Sequence, residues 1–240
     1  MKLTILGNYG PYPAAGGKTS GYLLEGESFK VALDMGSGVF STLAKFTPPE
    51  NLSAVVISHF HHDHTADLGA FNYYLEDLFK NGGLKEKVRL VVPDAPCASL
   101  NAICEMEYFS IEKVREGDSI KTGDAEFCFF KTKHPVYCLG TRVKEGGKTF
   151  VYSSDGDVSS GLEESLSGAD FALMHGPLLN ASYRRGGAQM SAALCSLLAR
   201  ENGVKTVVSH HSPRVDIRAI EGEIDPEFCS LSTVEKTYEF

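Results

Sequence analysis

Four of the eight histidines of this chain lie within six residues, in the segment Ser58-His59-Phe60-His61-His62-Asp63-His64. The segment directly follows an apolar run at residues 54–57, which is typical of a buried strand. His59 and His61 are two residues apart, so their side chains share one side only if the backbone is extended there. The pattern therefore predicts a loop at the end of a strand that directs several imidazoles and a carboxylate to one point.

This combination of side chains indicates a metal site. Neutral imidazole nitrogens and carboxylate oxygens are the donors that Zn²⁺ and similar divalent ions bind in proteins. The alternative is a polar loop whose histidines only cap helices and form hydrogen bonds, but unpaired imidazoles are costly to bury. For Asp63 the competing role is that of N-cap of the helix that follows.

The rest of the chain mixes strand and helix patterns. Short apolar runs rich in β-branched and aromatic residues are bounded by Gly, Pro, Asp, Asn or Ser, as expected for strands. They cover residues 3–6, 22–24, 29–33, 54–57, 88–92, 127–130, 149–152, 171–174 and 204–208. Helical spacing marks residues 68–79 and 194–198, and Asn202-Gly203 is predicted to cap the second helix. These elements give an α/β class, and the lack of repeats or linker-like tracts predicts one domain over residues 1–240.

Composition excludes several classes of protein. Lys+Arg is 23 against Asp+Glu 31, a formal net charge of −8, which argues against stable nucleic-acid binding because such affinity comes from basic residues that neutralise phosphates. No apolar run approaches the roughly 20 residues of a membrane span, and no signal peptide is evident. The six cysteines are scattered without a C-x-x-C pair, so we expect reduced thiols and a cytoplasmic protein.

The segment from Ser58 to His64 resembles the signature of the metallo-β-lactamase superfamily of dinuclear metal hydrolases. Other landmarks of that superfamily follow in order over nearly the whole chain. The matching positions are Gly7, the Asp34-x-Gly36 turn, His134, Asp155 at the end of Val151-Tyr152-Ser153-Ser154-Asp155, and His210 in Val207-Val208-Ser209-His210-His211-Ser212-Pro213. The resemblance implies a four-layer αββα sandwich with the site at the edge where the loops of the two sheets meet.

Carried over position by position, the resemblance implies two divalent metal ions. Zinc is expected, with manganese or iron as alternatives. The implied ligands of the first ion are His59, His61 and His134; those of the second are Asp63, His64 and His210; Asp155 is shared by both. Asp63 and Asp155 are therefore also expected to act in catalysis, whereas His62 and His211 are not ligands in this pattern.

The segments around His134 and His210 are most similar to the ribonuclease Z-like branch, which cleaves phosphodiesters, notably at transfer-RNA 3′ ends. Three departures argue against a transfer-RNA processing enzyme. His134 and Asp155 are only 21 positions apart, so the long insertion that grips the RNA is absent. Gly176 replaces the acidic residue of the H-E-A-T motif, and Gln189 replaces a catalytic histidine. The resemblance implies one of the small phosphodiesterase-like relatives.

The expected chemistry is hydrolysis. Two metal ions that share a water lower its pKa from about 16 to about 7 and polarise the substrate oxygen. Two divalent ions outweigh Asp63, Asp155 and a bridging hydroxide, so the site would attract a small anionic substrate such as a phosphodiester. His175, which follows the strand at 171–174, is a further catalytic candidate that either contacts substrate or orients a ligand.

Arginines are the candidates for substrate binding. Arg184 and Arg185 lie in a basic, glycine-flanked stretch that is either a solvated loop or a flap that pairs with a substrate phosphate, and Arg142 is a further candidate. Two other functions stay open on this evidence. One is a lactone, thioester or β-lactam hydrolase on the same scaffold, and the other is a non-catalytic metal-binding module. A homodimer is also left open.

Overall fold

Two β-sheets and seven α-helices make up the chain, and the computed structural model describes residues 1–240. The strands are β1 Lys2–Gly7, β2 Gly21–Glu25, β3 Lys30–Leu33, β4 Ala54–Val56, β5 Val88–Pro93, β6 Phe109–Val114, β7 Ser119–Thr122, β8 Ala125–Lys131, β9 Leu139–Glu145, β10 Lys148–Tyr152, β11 Phe171–His175, β12 Lys205–Ser209, β13 Cys229–Leu231 and β14 Thr237–Glu239. The helices are α1 Val39–Leu43, α2 His62–Thr65, α3 Leu68–Lys80, α4 Ala98–Cys104, α5 Ser160–Leu166, α6 Ala192–Asn202 and α7 Ile217–Glu221.

Each sheet has seven strands. The first sheet has the order β14-β1-β2-β3-β4-β5-β6 and the second the order β13-β12-β11-β10-β9-β8-β7. Strands β3 to β6 are parallel to one another, and so are β10 to β13. Because the carboxyl ends of parallel strands meet at one edge of a sheet, each sheet presents a row of loops along that edge.

Three apolar clusters hold four layers together. The largest lies between the sheets and includes Tyr22, Phe127 and Phe150. A second cluster joins the outer face of the first sheet to α1, α3 and α4, and a third joins the outer face of the second sheet to α5, α6 and α7. The predicted αββα sandwich is therefore confirmed.

The sequence predicts the strongly apolar strands and the two regularly spaced helices, but not the strands that carry polar residues or glycine. All nine predicted strands are present with small differences at their ends, and both predicted helices are present. Helix α6 ends as predicted, with Gly203 in the left-handed conformation at φ 66°, which glycine adopts without steric cost. The sequence does not predict strand β6, because Ser110 and Lys113 are exposed on it, or β9, because Gly140 and Lys144 lower its strand propensity.

The cysteines are unpaired, as predicted from their spacing. All six are free thiols: Cys138, Cys195 and Cys229 are buried in the core, whereas Cys97 and Cys104 are exposed at the two ends of α4. A buried free cysteine packs as a small apolar residue. No helix of the chain has both the length and the apolar character needed to cross a membrane.

The cluster between the sheets should dominate stability. Phe127 is fully buried and meets the Phe29 ring edge-on at 5.3 Å between centroids. We expect Phe127→Ala to lower the free energy of unfolding by about 3–5 kcal/mol, because it leaves a cavity. Urea denaturation followed by circular dichroism measures this. The control is Tyr73→Ala on α3, where the side chain is 74% exposed and the expected change is within about 0.5 kcal/mol. Equal losses would contradict this assignment of the core.

Candidate metal centre

Loops at the carboxyl ends of strands from both sheets converge on one site. The loop after β4, which continues into α2, carries His59, His61, Asp63 and His64. The loops after β8, β10 and β12 carry His134, Asp155 and His210. The structure thus brings together, at one edge of the sandwich, the seven side chains that the sequence predicts as ligands.

The first donor group consists of His59, His61, His134 and Asp155. His61 Nδ1 lies 3.0 Å from His59 Nε2 and 3.2 Å from His134 Nε2. Asp155 Oδ2 lies 4.0 Å from His59 Nε2 and 3.9 Å from His134 Nε2. Three imidazole nitrogens and one carboxylate oxygen therefore face a common point, which is the donor set of a four-coordinate divalent ion.

The second donor group shares Asp155. Its Oδ1 atom lies 3.6 Å from His64 Nε2 and 3.3 Å from His210 Nε2. Asp63 Oδ2 lies 3.6 Å from His64 Nε2 and 3.2 Å from His210 Nε2. Asp63 belongs to the first turn of α2, whose N-cap is His61 and lacks a side-chain cap hydrogen bond. The carboxylate of Asp63 therefore faces the site, and the alternative role of helix cap is not seen.

His175 lies behind Asp155 and does not reach the surface. It is fully buried, and its Nδ1 atom is 2.7 Å from Asp155 Oδ1. Its Nε2 atom is 2.9 Å from the Tyr22 hydroxyl, which is also 3.0 Å from Ser209 Oγ. Both ring nitrogens are thus engaged, so of the two predicted roles the geometry fits orientation of the shared carboxylate rather than contact with substrate.

Asp34 is a functional candidate that sequence reasoning noted only as part of a turn. It is fully buried after β3, and its Oδ2 atom lies 2.7 Å from His64 Nδ1. The same oxygen accepts hydrogen bonds from the hydroxyls of Ser58 at 2.8 Å and Tyr152 at 2.5 Å. Asp34 therefore fixes the ring orientation of His64. The signal available in the sequence was an acidic residue directly after a buried strand.

The electrostatics of the site favour the ionised form of Asp155 and the neutral form of His59, but the protonated form of His64. Although burial opposes it, the charges of Asp34 and Asp155 raise the pKa of His64 to about 9. Burial, together with the neighbouring His64, lowers the pKa of His59 well below its usual value. Burial would raise the pKa of Asp155, but His210 and His64 hold it well below the usual range. Ionised carboxylates and neutral imidazoles are the metal-binding forms, so His64 would release a proton when a cation binds.

The donor atoms fit divalent ions. His64 Nε2 is buried and has no hydrogen-bond partner, although it points toward two carboxylate oxygens. A buried polar atom without a partner is costly, and a bound cation is one way in which such an atom is satisfied. Two groups of donors share Asp155, and the first contains the predicted His59, His61 and His134. The second contains His64 and His210 with His175, whereas the predicted Asp63 approaches it through His64 and His210. We identify this cluster as the candidate metal centre.

A close backbone approach holds His210 in place. A Cβ atom at Gly10 would lie only 2.0 Å from Cε1 and Nε2 of the His210 ring. The Gly10 amide donates to the His211 carbonyl, and the His211 amide donates to the Asn8 carbonyl. Gly10 therefore allows the β1–β2 loop to pack directly on a candidate ligand, a feature that the sequence pattern did not indicate.

The loop at residues 183–189 also touches the centre. Asp157 accepts hydrogen bonds from the Tyr183 hydroxyl at 2.8 Å and from the Gly186 amide at 2.6 Å. His134 Nδ1 lies 3.0 Å from the Ala188 carbonyl. Gln189 Nε2 donates to Asp155 Oδ2 at 2.7 Å. Gln189, noted in the sequence only as a departure from the family pattern, thus contacts the shared carboxylate directly.

The hydrogen bonds of the candidate arginines Arg142 and Arg184 go to backbone carbonyls and not to the donors. Arg184 is exposed and donates to the Ala181 and Tyr183 carbonyls within its own loop. Arg185 lines a cavity of ≈ 390 Å³ together with Lys133. Arg142 lies on β9 and donates to the Ser167 carbonyl after α5. Since α5 covers the outer face of the second sheet, Arg142 is not brought to the centre.

Two histidines near the donors take no part in the cluster. His62 is exposed, in line with its expected orientation away from the site. His211 is buried, and its Nε2 atom lies 2.9 Å from Ser232 Oγ. Burial, with His210 and His175 nearby, lowers the pKa of His211 to about 4. His211 therefore packs as a neutral structural residue.

Comparison with protein families gives one match over most of the chain. The family described as "Beta-lactamase superfamily domain" matches residues 29–212. Among curated proteins, "Probable metallo-hydrolase YhfI" of Bacillus subtilis is 28% identical over 217 residues, which are 90% of this chain and 89% of that protein.

Solved structures share the fold. The crystal structure of YhfI from Bacillus subtilis matches with a TM-score of 0.92 and 24% identity, covering 99% of this chain and 98% of that one. A diphosphatase of the PhnP family matches at 0.77 with 16% identity, covering 100% and 96%. Human tRNase Z, short form, matches at 0.70 with 17% identity, covering 100% and 99%.

Metal binding should depend on His61 and not on the adjacent His62. With zinc at about 100 times its dissociation constant for both sites, we expect Tm to rise by about 10–20 °C for the unaltered chain. His61→Ala removes a donor of the first group, so the zinc content should fall from about two ions per chain toward one and the rise in Tm should shrink. Metal analysis and differential scanning calorimetry measure both. His62→Ala is the matched control and should behave like the unaltered chain; equal behaviour of the two variants would refute the ligand assignment.

The close approach at Gly10 provides an independent test of the site. Gly10→Ala should push the His210 ring from its position and weaken zinc binding about 10–100-fold, the range typical of residues that orient ligands. Competition with a chromogenic chelator measures the affinity. In the control Gly69→Ala on α3, the added Cβ meets no atom within 4 Å. The zinc affinity of that variant should not change, and its stability should rise by about 0.5–1 kcal/mol. Unchanged affinity in Gly10→Ala would show that His210 is not a ligand.

Proposed function

Because the chain belongs to the β-lactamase superfamily domain family, we propose that it is a metal-dependent hydrolase that acts on a small phosphodiester. The observation that carries this proposal is the pair of donor groups that share the Asp155 carboxylate. Both sheets contribute donors, which supports the further proposal that residues 1–240 act as one hydrolase domain.

The proposed centre holds two divalent ions. His59, His61 and His134 would bind one ion, Asp63, His64 and His210 the other, and Asp155 both. Imidazole and carboxylate donors favour zinc, and manganese or iron also accept them. When bound, such ions supply Lewis acidity, which lowers the pKa of water and polarises a substrate oxygen.

Residues around the donors hold them in fixed orientations. Asp34 accepts from His64 Nδ1, so that Nε2 of His64 is the atom free to act as a ligand. His175, held by Tyr22, contacts Asp155 Oδ1, while Gln189 contacts Oδ2. Each partner restricts rotation of a donor. Such restriction commonly contributes about 10–100-fold to metal affinity or activity.

An anionic substrate suits this centre. The ions would bring more positive charge than Asp63 and Asp155 remove, in a chain whose formal charge is −8. Arg184 and Arg185 are proposed to meet a substrate phosphate from the loop at 183–189, because Gln189 of this loop contacts Asp155. Two proteins of this fold are named as a diphosphatase and a tRNase. Both names denote enzymes that act on phosphorus-containing substrates.

Turnover of bis(p-nitrophenyl) phosphate tests the proposal. With zinc or manganese we expect p-nitrophenolate release by the unaltered chain and by His62→Ala. His64→Ala should lower kcat/KM by more than about 100-fold, because it removes a ligand rather than a residue that orients one. Equal turnover by His64→Ala and the unaltered chain would refute a metal-dependent reaction at this site.

Parallel assays with carbon esters define the reaction class. The panel contains p-nitrophenyl acetate, a lactone, a thioester and a β-lactam, at the same metal concentration. We expect kcat/KM for the phosphodiester to exceed that for every member of the panel. Preferential hydrolysis of a carbon ester would replace the phosphodiester with an acyl substrate, and metal binding without turnover of any of them would indicate a metal-binding module.

A further inference from the structure

An open groove adjoins the candidate metal centre on the side of His61. It has a volume of ≈ 640 Å³. Its apolar walls come from Phe60, Pro96, Val136 and Tyr137, and the candidate donor His61 also lines it. The chain gives this groove no occupant of its own, and Val136 is 39% exposed within it.

The walls of the groove are continuous with the donors of the first group. Phe60 stands between His59 and His61 in the sequence, and Val136 follows His134 by two residues. His61 Nδ1 is 3.0 Å from His59 Nε2 and 3.2 Å from His134 Nε2. A molecule whose reacting group sits among these nitrogens therefore has one substituent within reach of the groove.

Three polar side chains that line the groove, Asp94, Cys97 and Tyr137, already have hydrogen-bond partners within the chain. Arg115 Nε donates to Asp94 Oδ2 at 2.8 Å. The Tyr137 hydroxyl accepts from the Glu116 amide at 2.9 Å, and Cys97 Sγ accepts from the Leu100 amide at 3.4 Å. What the groove offers a ligand is thus the faces of aromatic and aliphatic side chains, which favour an apolar, planar group over a charged or hydrogen-bonding one.

We propose that the groove binds an aromatic substituent of the substrate, while the phosphoryl group is held at the metal centre. This inference rests on the proposed function and narrows its substrate class to aryl-bearing phosphate esters. The two parts of such a substrate match two adjacent surfaces: a cationic centre for the anion and an apolar groove for the ring.

Binding of two phosphonates to the zinc-loaded protein tests the inference without turnover. Phenylphosphonate and methylphosphonate present the same anion and differ in the ring alone. Isothermal calorimetry should show phenylphosphonate binding about tenfold or more tightly, because the ring removes apolar surface from water. Val136→Asn should bring the ratio of the two dissociation constants close to one. The control Leu197→Asn alters a residue of equal exposure, 39%, in the separate cavity beside Arg185, and should keep the ratio.

Alkylation of Cys97 gives a second readout that needs no substitution. Cys97 lines the groove, and Cys104, at the far end of α4, is also an exposed thiol. Phenylphosphonate should slow the reaction of Cys97 with iodoacetamide severalfold relative to Cys104, as measured by peptide mass spectrometry, and methylphosphonate should not.

The possible outcomes separate the two proposals. Equal affinity for the two phosphonates, or equal alkylation of Cys97 with either, would overturn the groove assignment and leave the phosphodiesterase proposal intact. Failure of both phosphonates to bind the zinc-loaded protein would overturn the proposed function and this inference with it.

Discussion

The carboxylate of Asp155 connects the two halves of the candidate centre. It is buried at the end of β10, and each of its oxygens belongs to a different donor group. His175 contacts Oδ1 of this carboxylate, and Gln189 contacts Oδ2. Asp155 is the residue common to both donor groups, so the register between β10 and its neighbours decides whether the two groups share a carboxylate.

Packing between the sheets and the geometry of the site are coupled through Asp34. This residue follows β3 in the first sheet, yet its carboxylate accepts from Tyr152 at the end of β10 in the second sheet. The same oxygen holds His64. A shift of one sheet against the other would therefore move a ligand, because the apolar interior and the polar edge share these side chains. The rigidity of a close-packed core is what keeps such donors in place.

Local patterns reveal the donors, and long-range contacts reveal what orients them. His59, His61 and His64 follow an apolar strand, and their spacing predicts a metal site. The four-layer sandwich follows from the resemblance to the family, because the residue patterns alone predict only an α/β class. The hydrogen bond between Gln189 and Asp155 joins residues 34 positions apart, and no periodic pattern in the sequence indicates it. Arg142 shows the converse problem, since its charge suggested a substrate contact but its position on β9 turns it toward α5. Such roles depend on tertiary placement, which composition and periodicity do not encode.

The amide at residue 189 has a chemical consequence for the proposed reaction. A carboxamide donates hydrogen bonds but does not release a proton at neutral pH, and here its donor is already committed to Asp155. A departing alkoxide would find no Brønsted acid in this side chain. Among otherwise similar esters, the rate of hydrolysis would then depend on the basicity of the leaving oxygen. Esters of phenol-like alcohols would react readily, and esters of simple alkyl alcohols would not.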